Sequence, residues 1–173
     1  MRITPIAFVA EQASALINGT KTQTRRLMLP PDKTYERAVL PELHPYGAVG
    51  DVLSAMIAEP LAPPFEITDY QDIKLRITAL RVESVQDISP ADARAEGVEP
   101  LWEGEPSDDP AASDLAYIAG FKQHWDEMYA ARGHAWERNP WVCVIRFERI
   151  PSTPEMTDEY LYRRRYEPER GKD

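Results

Sequence analysis

The sequence predicts an α+β domain built on a small, mostly antiparallel sheet or barrel. Apolar and polar residues alternate in "KLRITALRV", and its β-branched residues favour a long strand over residues 73–84. The apolar run "PWVCVIRFERI" predicts a second strand over residues 140–150. Helical patterns lie between these segments, but few of them form the strand–helix–strand units that build a parallel sheet.

The first part of the chain is predicted to contain one helix and a proline-rich loop. An extended entry leads into a helix over residues 10–18, and Gly19 ends it. Residues 28–46 are rich in proline and charge, so they predict a loop. A turn at Gly50 and Asp51 then begins another strand.

The second part of the chain is predicted to contain two helices. Ser89 is followed by Pro90, which is typical of a helix N-terminus, and Gly97 ends this helix after about two turns. Residues 99–114 are acidic and contain prolines, so they predict a mobile acidic loop. A longer helix is predicted over "LAYIAGFKQHWDEMYAARG", before the closing strand.

Length and composition predict one domain over residues 1–150 and a charged tail over residues 151–173. The 173 residues are 43% hydrophobic, which is enough for a sizeable core. The apolar stretches fall short of the ~18 residues that cross a membrane, and the N-terminal one is too short for a secretory signal. We therefore expect a cytoplasmic protein without a membrane partner.

Charge is distributed unevenly along the chain, whose formal net charge is −9. Lys and Arg outnumber Asp and Glu by six to three in residues 1–40, whereas residues 96–127 hold nine acidic residues and one lysine. This balance argues against a general nucleic-acid coat protein, but it allows a small basic pocket on an acidic body. The acidic segment is a candidate surface for a protein partner.

Residues that could hold a metal or form a disulfide are sparse. Cys143 is the single cysteine, which excludes a disulfide within the chain, and its apolar neighbours predict a buried side chain. His44, His124 and His134 are not spaced as metal ligands. We therefore expect no metal and no cofactor.

The basic stretch "NGTKTQTRRL" over residues 18–27 is the candidate for chemistry. The amine of Lys21 and the hydroxyls of Thr22 and Thr24 could converge in a turn or a helical start, where an amine of lowered pKa could activate a hydroxyl. Arg25 and Arg26 are close enough in the chain to lower that pKa. The same residues are also compatible with an exposed basic turn or with a phosphate-binding site.

Two late tryptophans are candidates for stacking on a base. Trp136 and Trp141 flank the polar segment "ERNP", which is typical of a surface loop. Trp125, the third tryptophan of this late cluster, is instead expected to pack in the core.

The segment "GTKTQTRR" resembles the signature of the ASCH domain, a member of the PUA-like barrel superfamily. The matching positions are Gly19, Lys21, Thr22, Thr24 and Arg26. Three further segments resemble ASCH proteins of phages and prophages in the expected order, namely "GDVL", "LRVESVQDISPADARAEGV" and "FKQHWDEMYAARGHAWERNPWVCVIRFERI". The resemblance covers residues 3–150 and implies a small mixed or antiparallel β-barrel of about five to six strands flanked by helices.

Some small bacterial ASCH proteins are amidohydrolases that remove the acyl group from N4-acetylcytidine. The resemblance therefore implies a modified nucleoside or RNA as the partner, and the family's lysine, threonine and glutamate fall on Lys21, Thr24 and Glu96. The glutamate is placed by its position at the end of the short helix. In this interpretation the Thr24 hydroxyl attacks the amide carbonyl and Lys21 accepts the hydroxyl proton. Glu96 mediates proton transfer at the leaving amine. The candidate substrate-binding residues are Arg25, Arg26, Trp136 and Trp141.

One strand departs from the phage proteins, which commonly read Leu-Trp-Val-Arg-Glu after the Gly-Asp turn. This chain reads "LSAMIAE" there, which predicts a different substrate or lost activity if those side chains shape the pocket.

Three alternative functions stay open. They are an RNA-binding module without catalysis, a ribonuclease that uses the same lysine and glutamate, and a phage protein that inhibits a host factor through its acidic loop.

Overall fold

A computed structural model of the chain describes residues 1–28, 45–58, 67–68 and 73–151. Most of the predicted proline-rich loop and the predicted charged tail lie outside the described residues. The strands are β1 (Ile3–Val9), β2 (Gln23–Leu27), β3 (Val52–Ala58), β4 (Ile67–Thr68), β5 (Lys74–Ser84) and β6 (Trp141–Ile150). The α-helices are α1 (Ala13–Asn18), α2 (Pro90–Ala95) and α3 (Pro110–Tyr129). Short 3-10 turns lie at Ala10–Gln12, Val85–Asp87, Ala130–Arg132 and Trp136–Arg138.

The strands form one mixed sheet in the order β1-β3-β5-β6-β2, with β4 paired to β3. β1 runs parallel to β3, while β3 and β5, β5 and β6, and β6 and β2 are antiparallel pairs. Helices flank this sheet, so the predicted α+β class with a small mixed sheet is confirmed. β5 and β6, whose patterns are the clearest in the sequence, pair with each other from end to end.

The two faces of β6 enter two different cores, because successive residues of a strand point to opposite faces. Cys143 joins the first core, which also holds Phe8 of β1. Val142 and Val144 join the second core, which holds Trp125 of α3. Cys143 is buried, as its neighbours predict, and burial raises the pKa of its thiol to about 12.

A side chain joins β1 and β2, the two outer strands of the order. The Arg26 guanidinium on β2 donates to the Ala7 carbonyl oxygen on β1 over 2.6 Å. The same guanidinium lies 5.0 Å from the centre of the Phe8 ring. The sheet is therefore curled far enough for its two ends to meet, as expected of a small barrel.

The basic stretch forms a strand and not the predicted turn or helical start. Gly19 ends α1 with a φ of 79°, and the chain then enters β2, where Thr24 lies opposite Ile145 of β6. A strand is normally recognised by alternating polar and apolar residues, but Arg25 and Arg26 are both charged. Their residue types therefore do not show which of the two guanidiniums points inward. The strand is also fixed by a partner more than a hundred residues away, which no local pattern contains.

The long helix α3 begins at Pro110, several residues before the predicted start, so the predicted acidic loop ends earlier. Asp109 caps the helix by accepting a hydrogen bond from the Ala111 N–H. Aspartate and proline are also typical of loops, so these residue types did not indicate that the helix begins here. The start of the acidic segment is anchored as well, since the Leu101 N–H donates to the Ala116 carbonyl oxygen over 2.9 Å.

Gly120 of α3 is required by the close approach of that segment. A Cβ added at this position would lie 2.0 Å from the Glu99 carbonyl oxygen. Helix propensity alone predicts that Gly120→Ala stabilises the protein by about 1 kcal/mol. We expect instead a loss of about 2 kcal/mol in the free energy of unfolding, because the backbone near Glu99 must move. Urea denaturation measures the change, and Ala119→Gly calibrates the propensity effect. A stabilised Gly120→Ala protein would contradict this packing.

Candidate active site

Lys21 is held between two helices by the backbone around it. Its N–H donates to the Ala15 carbonyl oxygen of α1, and the Thr22 N–H donates to the Ala95 carbonyl oxygen of α2, both over 2.9 Å. The Lys21 side chain is 0% exposed. The segment between α1 and β2 therefore directs the amine towards the C-terminal end of α2.

Lys21 and Glu96 meet at that end of α2. The Lys21 ammonium donates to the backbone carbonyl oxygen of Glu96 over 2.6 Å, and its Nζ lies 3.3 Å from Oε2 of the Glu96 carboxylate. The Glu96 side chain is 4% exposed. Two residues that the resemblance implies as partners, 75 positions apart in the chain, are therefore in direct contact.

Gly97 makes this contact possible. Its φ of 72° lies in the left-handed region that favours glycine. A Cβ added there would lie 2.8 Å from the Cβ of Lys21 and 2.9 Å from the Cβ of Ala15. The glycine that ends α2 therefore also allows the chain carrying Lys21 to pass beneath the end of that helix.

Burial lowers the pKa of the Lys21 amine from its ordinary value of 10.5. The Glu96 carboxylate opposes this shift, whereas the positive charges of Arg26 and Arg25 add to it. The amine is therefore easier to deprotonate than that of an exposed lysine. A neutral amine can accept the proton of a nearby hydroxyl, which an ammonium group cannot do.

Arg25 lies among carboxylates, and its side chain is 0% exposed. One terminal nitrogen donates to Oε1 of Glu96 over 3.0 Å. The other contacts the Glu83 carboxylate and lies 3.4 Å from Oδ2 of Asp92. The terminal nitrogens of Arg25 are thus engaged by carboxylates and hold Glu96 in position, and the substrate-binding role of Arg25 stays a prediction.

Asp92 of α2 connects this cluster to the surface. Its carboxylate accepts from Arg81 over 2.7 Å and lies 3.4 Å from a terminal nitrogen of Arg146. Burial alone would raise the pKa of Asp92, but the Arg81 and Arg25 guanidiniums lower it below its ordinary value. Sequence reasoning missed these residues. The available signal was the spacing of Arg81 and Glu83 in β5, which places both on one face of the strand.

Thr24 and Arg26 lie on the face of β2 opposite to Arg25, because strand residues alternate in direction. Thr24 is 4% exposed. The Lys21 Nζ and the Arg26 guanidinium carbon lie 5.8 and 5.0 Å from the centre of the same Phe8 ring. Lys21 and Arg26 thus approach the same aromatic ring, and Arg26 shares its strand face with Thr24. Nε of Arg26 is buried there and has no hydrogen-bond partner among the described residues.

The two candidate tryptophans lie elsewhere in the fold. Trp136 packs edge-on against Phe121, with ring centres 6.1 Å apart, and so belongs to the second core. Trp141 is 45% exposed at the start of β6. It lies four residues, or about 13 Å, along the strand from Ile145, the partner of Thr24. The structure therefore does not bring Trp141 to the Lys21–Glu96 pair.

Among the described residues, His124 has a ring nitrogen in a side-chain hydrogen bond. His124 is hydrogen-bonded to Gln12, and the two side-chain nitrogens lie 2.8 Å apart. Within residues 1–28, 45–58, 67–68 and 73–151, no three His, Cys, Asp or Glu residues are grouped so that they could hold a metal ion. No helix in the same ranges is long and apolar enough to cross a membrane.

Neither the protein-family models nor the curated proteins include a match to this chain. Among solved structures, the chain is similar to an ASCH domain from Lactobacillus crispatus JV V101, with 14% identity and a TM-score of 0.49 over 85% of this chain and 79% of that one. It is also similar to the hypothetical protein PH0355, with 17% identity and a TM-score of 0.43 over 86% and 100% of the two chains. Protein PF0455 from Pyrococcus furiosus matches with 17% identity and a TM-score of 0.40 over 87% and 100%. At these TM-scores the matches do not by themselves assign the chain to a family.

The burial of Arg25 predicts a large loss of stability when its charge is removed. Arg25→Met leaves Glu83, Asp92 and Glu96 without their shared cation, so we expect the free energy of unfolding to fall by about 3–5 kcal/mol. Arg76→Met is the matched control, because Arg76 forms a 3.3 Å ion pair while its side chain is 48% exposed. That change should cost less than about 1 kcal/mol. Urea denaturation at neutral pH compares the two variants, and equal losses would contradict a buried supporting role for Arg25.

Proposed function

We propose that this protein is an ASCH-type amidohydrolase that removes the acyl group from an N4-acylated cytidine. The observation that carries the proposal is the buried Lys21 amine, whose pKa is lowered and which lies 3.3 Å from the Glu96 carboxylate. Thr24 follows Lys21 by three residues and supplies the hydroxyl that the reaction requires. Lys21 and Thr24 belong to the segment that resembles the ASCH signature, and Glu96 is the glutamate that the wider resemblance implies.

The proposed reaction proceeds through an acyl group carried by Thr24. The neutral Lys21 amine accepts the hydroxyl proton while the Thr24 oxygen attacks the amide carbonyl. The proton passes from Lys21 through Glu96 to the cytosine N4 nitrogen as the C–N bond breaks, and cytidine leaves as the free amine. Water then attacks the acyl–Thr24 ester with Lys21 again as base, which releases the carboxylic acid and restores the hydroxyl.

Arg26 is suited to stabilise the negative charge that develops on the carbonyl oxygen. It lies on the same strand face as Thr24, and its buried Nε has no hydrogen-bond partner among the described residues. Donors that already point to the position of a developing charge stabilise a transition state, because they need no reorganisation during the reaction. Its terminal nitrogen is fixed by the Ala7 carbonyl oxygen, which orients the guanidinium.

The charges near this site favour a nucleoside over RNA as the substrate. Lys21 and Arg25 are both 0% exposed and engaged by carboxylates, so neither is available to a phosphate group. RNA binding and RNA cleavage both require cations that can reach the phosphate backbone. The formal net charge of −9 also disfavours an extended polyanion.

Replacing Thr24 should abolish turnover and leave the fold intact. Thr24→Ala removes the nucleophilic oxygen, while the cost in stability should stay near about 1 kcal/mol. Thr24→Ser keeps the oxygen and should retain part of the activity. Thr22→Ala is the matched control, because Thr22 is exposed and its backbone makes the contacts with α2 and β6. Chromatography of N4-acetylcytidine incubated with each variant measures turnover.

Melting curves of the same Thr24 and Thr22 variants separate loss of chemistry from loss of fold. Full activity in a folded Thr24→Ala protein would exclude the acyl–threonine intermediate. Equal losses in Thr22→Ala and Thr24→Ala would show that neither hydroxyl has a specific role.

The rate should rise with pH and then level off at the pKa of Lys21. Only the neutral amine accepts a proton, so activity is lost as the pH falls through that pKa. Because the pKa is lowered from 10.5, the plateau should begin below that pH. Initial rates of N4-acetylcytidine cleavage from about pH 6 to 10, corrected for the uncatalysed reaction, measure the profile. Lys21→Met should be inactive throughout, and an unchanged profile in that variant would remove Lys21 from the reaction.

A further inference from the structure

Phe8 of β1 lies close to two cations of the candidate active site. The Lys21 Nζ lies over its ring, 5.8 Å from the ring centre, and the Arg26 guanidinium carbon lies over it at 5.0 Å. The Phe8 side chain is buried, with 2% of its residue surface exposed, so these contacts are shielded from water. A cation within about 6 Å of an aromatic ring centre is attracted to the electron-rich face, and the attraction is larger away from water.

Contacts with neighbouring strands fix the position of the Phe8 ring. The carbonyl oxygen of Ala7, the preceding residue, accepts a hydrogen bond from the Arg26 guanidinium over 2.6 Å. Phe147 of β6 packs against the Phe8 ring at an angle of 72°, with the ring centres 6.3 Å apart. The Phe147 N–H donates to the Thr22 carbonyl oxygen over 2.9 Å. The ring is therefore held by β1, by β6 and by the segment that enters β2.

The protonation of Lys21 depends on several groups that face its amine. Burial and the positive charges of Arg26 and Arg25 favour the neutral amine, whereas Glu96 favours the ammonium form. His124 of α3 interacts electrostatically with Lys21, but its pKa is lowered from 6.5, so its imidazole is mostly neutral above that pH. The aromatic ring adds an attraction that the ammonium form makes and the neutral amine does not make.

We propose that Phe8 is a positioning residue of the candidate active site, whose ring attracts both Lys21 and Arg26 and favours the ammonium form of Lys21. Arg26 lowers the pKa of Lys21 because the two positive charges repel each other, and a ring that attracts both offsets part of this repulsion. The role of the ring in catalysis rests on the proposed function, in which Lys21 becomes an ammonium group when it accepts the Thr24 proton. A ring that stabilises this charge makes Lys21 a stronger base.

Weakening the electron-rich face of the ring should lower the pKa of Lys21. Phe8→pentafluorophenylalanine nearly keeps the shape of the side chain, but its fluorine atoms withdraw electron density from the face. The pKa of Lys21 should therefore fall by about 0.5–1. The same substitution at Phe121 is the matched control, because that ring is also buried but lies 5.6 Å from the guanidinium of Arg25. Arg25 stays charged in that variant, so the pKa of Lys21 should stay within about 0.2 of the wild-type value.

Carbon-13 NMR of labelled lysine side chains, titrated from about pH 6 to 11, measures this pKa without requiring activity. The signal that is lost in Lys21→Met identifies Lys21. Phe8→Leu removes the ring but keeps an apolar side chain, so it should lower the pKa in the same direction. Melting curves establish that each variant is folded. An unchanged pKa in the fluorinated Phe8 protein, or an equal fall in the Phe121 control, would overturn the inference.

Rates of N4-acetylcytidine cleavage test the link between the ring and the reaction. In the fluorinated Phe8 protein the rising part of the pH–rate profile should move to lower pH. Its plateau should fall about two- to threefold, because Lys21 becomes a weaker base. A structural defect alone would lower the plateau without moving the rising part, and that result would exclude the proposed role in catalysis. Absence of turnover in the wild-type protein would contradict the proposed function, while the NMR titration would still decide whether the ring acts on Lys21.

Discussion

The buried contact between Lys21 and Glu96 is the constraint on which the rest of the structure depends. Charged groups that are removed from water are stable only when each has a partner and its hydrogen bonds are satisfied. Lys21 is paired with Glu96, and Glu96 is paired in turn with Arg25. Arg25 then reaches Glu83 on β5 and Asp92 on α2. This series of ion pairs joins α2 to β2 and β5, so it fixes the position of the helix relative to the sheet.

The same contact balances two opposing demands on the Lys21 amine. Burial favours the neutral form that a general base needs, whereas the adjacent Glu96 carboxylate favours the charged form. Arg25 holds the other oxygen of that carboxylate, and its own positive charge lowers the pKa of Lys21. Arg25 therefore shifts the balance towards the form of Lys21 that accepts a proton. Stability and chemistry are coupled here because both depend on how fully Glu96 is neutralised.

The sequence predicts the parts of this structure that local patterns determine. The alternation in β5, the apolar run in β6 and the glycine that ends each of the first two helices all lead to elements found in the structure. The Lys21–Glu96 contact was expected only from the resemblance to ASCH proteins, since no local pattern links positions 75 residues apart. The inward direction of Arg25 and the cluster around Asp92 were missed, because charged residues in a strand are ordinarily expected to face solvent. The burial of Arg25 is favourable only because α2 and β5 supply carboxylates that pair with it.

Because β2 pairs with β6, the candidate active site can form only late in the synthesis of the chain. Thr24 lies opposite Ile145, so the strand that carries the candidate nucleophile gains its hydrogen-bonding partner only from the far end of the domain. Contacts between such distant segments form late, because the intervening chain must first be brought together. During synthesis from the N-terminus, Lys21 and Thr24 leave the ribosome long before β6 does. The nascent chain therefore carries both residues for most of its synthesis without the strand that aligns them, and the centre is assembled only when β6 has emerged.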